Sequence, residues 1–290
     1  MKRVIVLLAF IALGYSKNEP DDPIVGSGWK LVWAEEFNYS GLPNSDFWSF
    51  ETGYVRNNEE QYYTNQRLEN CIVKDGYMQI IALNDSFQNH VITSASIETK
   101  NKVSFKYGRI EVRAKMPKLG LGTWPAIWTK GDNYDTVGWP YSGEIDIMEW
   151  VGRIPTVILG SIYSKAQSST GINEGHKFYV ADSSSFLTEY FHNYVIEWDS
   201  TSISYFLDDT NYGTLTIDDF GSDWDPLTKS HYLKLNLAMG GEIPPFGGGG
   251  PIDYTKFPFT FLVDYVRYYK KTNNESSKIG KKLDRKSMKI

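Results

Sequence analysis

Short runs in which Val, Ile, Leu, Tyr, Phe and Trp alternate with polar residues recur at 29–37, 77–82, 94–100, 107–115, 126–129, 144–151, 157–163, 192–198, 202–207, 232–238 and 261–270. Side chains of a strand point alternately to its two faces, so each run reads as a strand with one buried face. Gly, Pro, Asn and Asp separate the runs, and no stretch carries the 3.6-residue period of a long helix. Repeated short strands punctuated by turn residues predict an all-β sandwich or barrel. A length of 290 residues suits one such unit with one core.

The domain is expected over residues 29–271. Lys2 and Arg3 precede an apolar run over 4–13, too short to cross a bilayer as a helix, so residues 1–16 read as an export signal. A secreted or periplasmic protein without a membrane span follows. Tyr15 stands where a lipoprotein would carry Cys, so no lipid anchor is expected. Residues 17–28, polar and rich in Pro, Asp and Gly, read as a linker. From Lys270 onward eight Lys or Arg and no apolar periodicity predict a disordered basic tail over 272–290.

The net charge of -5 argues against nucleic acid as a partner, since phosphate binding needs a basic surface, and favours a neutral substrate. Nine Trp and twenty Tyr, within an aromatic content of 15%, exceed what a core of this size needs. Some of these rings are expected to line a groove, where a flat apolar face suits the C–H face of a sugar. The single cysteine, Cys71, lies in a β-like run and reads as a buried structural thiol. Residues 247–250 are four glycines without a preceding strand and following helix, so they form a loop at the groove rim rather than a phosphate cradle. No repeat and no Cys/His metal cluster is present in the sequence, and no catalytic cofactor is expected.

The most informative segment is Gly143-Glu144-Ile145-Asp146-Ile147-Met148-Glu149-Trp150. Period-2 alternation puts Glu144 and Asp146 on one face and Ile145 and Ile147 on the other. Strict alternation would place Glu149 on the apolar face. One extra residue absorbed in a β-bulge around Met148 returns it to the acidic face, and bulges concentrate next to active sites. The two glutamates then stand about four strand steps apart, roughly 13 Å between Cα atoms. With side chains leaning inward, their carboxyl groups approach the ~5–5.5 Å spacing of a retaining glycosidase. Three acids this close cannot all ionise easily, so at least one holds its proton at neutral pH. The alternatives are a solvated acidic face or a cation site.

Glu144-Ile145-Asp146-Ile147-Met148-Glu149 resembles the active-site signature of family 16 glycoside hydrolases, in the bulged form found in laminarinase-like members. The similarity runs from Trp29 to Tyr269 through Trp33-Ala34-Glu35-Glu36-Phe37, Asn57-Asn58-Glu59-Glu60-Gln61-Tyr62-Tyr63, Tyr107-Gly108-Arg109-Ile110-Glu111, Gly122-Thr123-Trp124-Pro125-Ala126-Ile127-Trp128, Leu235-Asn236-Leu237-Ala238-Met239-Gly240-Gly241 and Asp264-Tyr265-Val266-Arg267. The resemblance implies a β-jelly-roll sandwich of two antiparallel sheets with a substrate groove on its concave face. It implies Glu144 as nucleophile, Glu149 as acid/base and Asp146 as the group that tunes the nucleophile.

By the same resemblance Trp124 and Trp128 form the substrate floor, and Asn57 and Arg109 hold sugars on the non-reducing side of the cut. For Arg109 the alternative is a surface salt bridge. Tyr163 stands where many relatives carry His on the leaving-group side; it donates a hydrogen bond and stacks but does not titrate near neutrality. A structural Ca²⁺ away from the groove is implied, with Glu36 and Asp264 as its carboxylates, unless these acids cap turns or pair with Arg267. The resulting expectation is a monomeric, retaining endo-glucanase acting on β-1,3 bonds of laminarin-type or mixed-linkage β-glucan. A hydrolase of agar- or porphyran-type galactan with the same acid strand and a non-catalytic glucan-binding module are the alternatives.

Overall fold

The computed structural model describes residues 28–168, 170–180, 186–241 and 248–272. The export segment, the linker up to residue 27, the tail from 273 and residue 247 of the glycine loop lie outside them. Strands run in the order β1 (Trp29–Glu35), β2 (Ser49–Phe50), β3 (Gln61–Tyr63), β4 (Cys71–Lys74), β5 (Tyr77–Phe87), β6 (His90–Ser94), β7 (Ser96–Glu98), β8 (Gly108–Lys115) and β9 (Thr123–Gly131). They continue with β10 (Glu144–Trp150), β11 (Val157–Ser164), β12 (Ile172–Tyr179), β13 (His192–Trp198), β14 (Ser202–Leu207), β15 (Thr210–Thr216), β16 (His231–Met239) and β17 (Phe259–Lys271). Among the described residues no helix is long and apolar enough to cross a membrane.

Two sheets pack face to face as a β-jelly-roll sandwich. One follows the order β15-β14-β13-β8-β17-β5-β6-β3, with β1 added on β17 and β4 on β5; the other follows β12-β11-β10-β9-β16-β7-β2. Alternation explains the layering. On β16, Leu233, Leu235 and Leu237 are fully buried in the core between the sheets, while Tyr232, Lys234, Asn236 and Ala238 line the groove on the opposite face. Burying each such leucine stabilises the sandwich by about 1.5–3 kcal/mol relative to leaving it exposed. Cys71 is buried in the same core, and burial pushes its thiol pKa up.

Four of the strands that the alternation pattern does not reveal stand at the ends of the sheets, β12 and β2 in the groove-bearing sheet and β15 and β3 in the other. Edge strands are kept polar to discourage pairing with other chains, which removes the apolar signal; Glu174, Gly175, His176 and Lys177 of β12 are an instance. The run expected as one strand over 94–100 is divided. β6 ends at Ser94 in one sheet and β7 begins at Ser96 in the other, so the chain changes sheets at Ala95.

Candidate active site

β10 pairs with β9 on one side and β11 on the other, and its register shifts against both between Asp146 and Glu149. Ile147 and Met148 are the residues taken up in this bulge, and both are buried. The expected irregularity is therefore present, and it returns Glu149 to the groove face. Across β9, Glu144 lies opposite Lys130, Asp146 opposite Trp128 and Glu149 opposite Ala126. Four steps on β9 separate the two glutamates, about 13 Å between Cα atoms at ~3.3 Å per residue.

The same register carries on across the sheet. Tyr163, Glu144, Lys130 and Tyr232 form one row; Ser161, Asp146, Trp128, Lys234 and Glu98 the next; Leu159, Glu149, Ala126 and Asn236 the third. All three acids, Trp124, Trp128, Asn57 and Tyr163 line a groove of about 390 Å³. Tyr163 stands beside Glu144, at the start of the acid strand, with the Trp139 ring 5.8 Å away.

Electrostatics separate the three acids. Burial, reinforced by the charge of Glu144, pushes the Glu149 carboxyl up to about 7 against a hydrogen bond of 3.1 Å from Trp124 Nε1. Asp146 is pushed well above the usual carboxylate range by burial and by both glutamates, although Ser161 Oγ donates to it at 2.6 Å. Burial raises Glu144 too, but here Lys130, Arg56 and Lys234 pull the other way. Such splitting is what lets one acid hold a proton while its neighbour is ionised.

Both tryptophans are nearly buried and fixed through their N–H groups. Trp128 donates to Asn236 Oδ1 at 2.8 Å; Asn236 donates to the Tyr63 hydroxyl, which donates to Glu59. Asn57 joins this network by donating to Glu59 at 3.1 Å. Trp124, 5% exposed, packs with Val151, Val157, Leu159 and Ala238. Trp124→Phe keeps that packing and removes only the donor to Glu149. Since the hydrogen bond lowers the pKa of Glu149, its loss should move the alkaline limb of kcat/KM to higher pH with little change in Tm. An unmoved limb would mean that another group titrates there.

Arg109, expected among the groove residues, does not line the groove. Arg109 lies on β8 in the other sheet, where Ile110 and Val112 take the core side and Arg109 faces outward. Its guanidinium pairs with Glu111 at 2.7 Å and Glu197 at 3.1 Å, the surface ion pair that was the alternative. Glu36 and Asp264, the carboxylates expected at a structural Ca²⁺, are each paired with an arginine. Glu36 receives two hydrogen bonds from Arg267, at 2.7 and 3.1 Å, and Asp264 is paired with Arg113. A carboxylate already neutralised by a guanidinium is a poor ligand for a second cation, and Ca²⁺ takes six to eight oxygens. Among the described residues no group of three or more Asp, Glu, His or Cys is placed to hold a metal.

The groove also holds charged residues that the sequence reading did not single out: Glu51, Arg56, Glu98, Lys130 and Lys234. Lys234, nearly inaccessible, bridges Glu51 at 2.8 Å and Glu98 at 2.5 Å, and Arg56 pairs with Glu51. Burial alone would raise the Glu51 carboxyl, but Lys234 and Arg56 outweigh it and hold it at about 2. A signal for two of them was available: Lys130 and Lys234 sit at the polar positions of period-2 strands whose other face is core.

Fold and site together define a β-jelly-roll glycoside hydrolase. The family model for glycosyl hydrolases family 16 matches residues 57–256. The chain is 38% identical over 280 residues to a beta-glucanase of Rhodothermus marinus, covering 93% of this chain and 95% of that one. It is 34% identical over 281 residues to a glucan endo-1,3-beta-glucosidase of Cryptopygus antarcticus, covering 90% and 96%. Its structure matches that of the laminarinase from Rhodothermus marinus with a TM-score of 0.75 at 38% identity, over 84% of this chain and 98% of that one. The chain belongs to glycosyl hydrolases family 16.

Proposed function

We propose that the protein is an endo-acting β-glucanase that hydrolyses β-1,3 linkages, in laminarin-type or mixed β-1,3/1,4-glucan, with retention of configuration. The observation that carries the chemistry is the bulged strand, which presents Glu144 and Glu149 to one groove in different electrostatic surroundings: three cations oppose the effect of burial at Glu144, whereas the charge of Glu144 adds to it at Glu149. Ionised Glu144 attacks the anomeric carbon while protonated Glu149 donates to the glycosidic oxygen, so the C–O bond breaks as a glycosyl ester forms. Glu149, now a carboxylate, takes a proton from water, which displaces Glu144 from the sugar. Asp146 stays neutral in this scheme and adds no third charge between the two.

The substrate class is supported by the relatives, named as glucanases acting on β-1,3 bonds, and by the indole-lined groove. An export signal over residues 1–16 fits a polymeric substrate, which has to be met outside the cell. Reducing ends should be released from laminarin and mixed-linkage glucan and not from agarose, and proton NMR should show the β-anomer first, because closely spaced carboxyls leave no room for an intervening water. An α-anomer appearing first would remove the double displacement, and release from agarose alone would move the substrate to galactans.

A further inference from the structure

Four cations line the groove on the Glu144 side, and three of them are held by carboxylates. Lys234 is bonded to Glu51 and Glu98, Arg56 to Glu51, and Lys100 to Asp135 at 2.6 Å. Lys130 is different. Its ammonium has no carboxylate within ion-pairing distance among the described residues; it lies over the rings of Tyr134, at 4.3 Å, and Trp128, at 5.0 Å. It is directly opposite Glu144 in the β9–β10 pair, and cross-strand partners share a face with their side chains in reach of each other.

We propose that Lys130 is a positioning residue for the nucleophile: an unpaired cation, lying over two aromatic rings across the strand from Glu144, whose field favours the ionised form of that carboxylate. This rests on Glu144 being the nucleophile. The groups that face Lys130 support the assignment. From β10 come Glu144 and Asp146; from β16, Lys234 and Tyr232; from the segment before β3, Arg56 and Glu51; from the turn after β9, Tyr134. Lys234, Arg56 and Glu51 are mutually paired, and Asp146 is driven towards its neutral form, so Glu144 is the anion left for Lys130 to oppose.

The location explains why a lysine is worth its desolvation here. Burial pushes Lys130 down to about 8 even with Glu144 nearby, so the ammonium is disfavoured by its surroundings and retained by the anion. A double displacement needs one glutamate ionised and its neighbour protonated over the same pH range. Without the cation opposite it, burial would raise Glu144 further towards Glu149, and the interval between their titrations would narrow.

The test compares wild type with Lys130→Met, which keeps the apolar stem, and Lys130→Arg, which keeps the charge. Carbon-13 NMR of labelled glutamate carboxyls, with the Glu144 signal assigned by its loss in Glu144→Gln, follows the titration directly and needs no substrate. Lys130→Met should raise the Glu144 midpoint by roughly one unit and shift the acid limb of kcat/KM by the same amount. Activity on that limb then falls about tenfold while KM barely changes, and Lys130→Arg should restore both. If Lys130→Met does not fold, Lys130→Gln provides the same comparison. An unchanged Glu144 midpoint overturns the proposal, as does a variant that alters KM alone, which would make Lys130 a sugar contact. Failure of the substrate reading looks different: wild type would not cleave β-1,3-glucan, yet the titration shift would stand. Failure of the role assigned to Glu144 would show as a shifted midpoint with an unshifted acid limb.

Discussion

Glu144→Ser should fold, bind oligosaccharide and lose turnover by roughly 10⁴-fold or more, the scale on which removal of a covalent nucleophile acts. Serine is too short and not ionised, so no glycosyl ester forms. The fold should survive because Glu144 lies on the groove face, while Ile145 and Trp150 anchor the strand in the core. Binding should survive because the fixed indoles of Trp124 and Trp128 remain. The variant should also titrate differently. The charge of Glu144 is one of the causes that raise Glu149, so its removal lowers the Glu149 pKa. Added azide should then enter the vacated space and give an α-glycosyl azide from an activated aryl glycoside, since an external nucleophile replaces only the first displacement. Activity within tenfold of wild type, or no azide adduct, would take the nucleophile role from Glu144.

Glu149→Gln should cost about 10²–10⁴-fold on glucan, the range for a general acid, and far less on a substrate whose leaving group needs no proton. The pH dependence follows from the carboxyl raised to about 7. Only the protonated form donates, so kcat/KM of wild type should fall about tenfold per pH unit above that value, and the variant should lack this limb. Stability should move the opposite way. A carboxyl raised on folding contributes stability that is present below its unfolded pKa of about 4.5 and is lost as pH rises through about 7. Ionising Glu149 at pH 8 therefore strains wild type by up to about 3 kcal/mol, which Gln relieves. Melting curves should show Glu149→Gln more stable than wild type at pH 8 and no such advantage at pH 4. Equal stability at both would mean that Glu149 titrates normally.

Much of the catalytic strand is legible in the sequence because its signal is local. Alternation within eight residues separates Glu144 and Asp146 from Ile145, and the odd offset of Glu149 calls for a bulge, which the pairing with β9 and β11 contains. The edge strand β12 is illegible for an equally local reason, its polar composition.

Other features depend on distance along the chain. Lys234 and Glu51 are separated by nearly two-thirds of the chain and meet only because β16, β7 and β2 pair side by side. Nothing near either residue marks it as half of a buried pair. Arg109 shows the converse: its motif resembles a groove residue, yet β8 belongs to the other sheet and turns the guanidinium outward towards Glu111 and Glu197. Glu36 and Asp264 are claimed by Arg267 and Arg113 in the same way. The sequence by itself determined most of the strand pattern, the core face of the catalytic strand and the acid trio, since period-2 alternation is written in consecutive residues. Only the tertiary structure decided which charges are neutralised and which, like Lys130, remain to act on Glu144, because an electrostatic partner is set by register between strands remote in sequence and by the burial that strengthens their interaction.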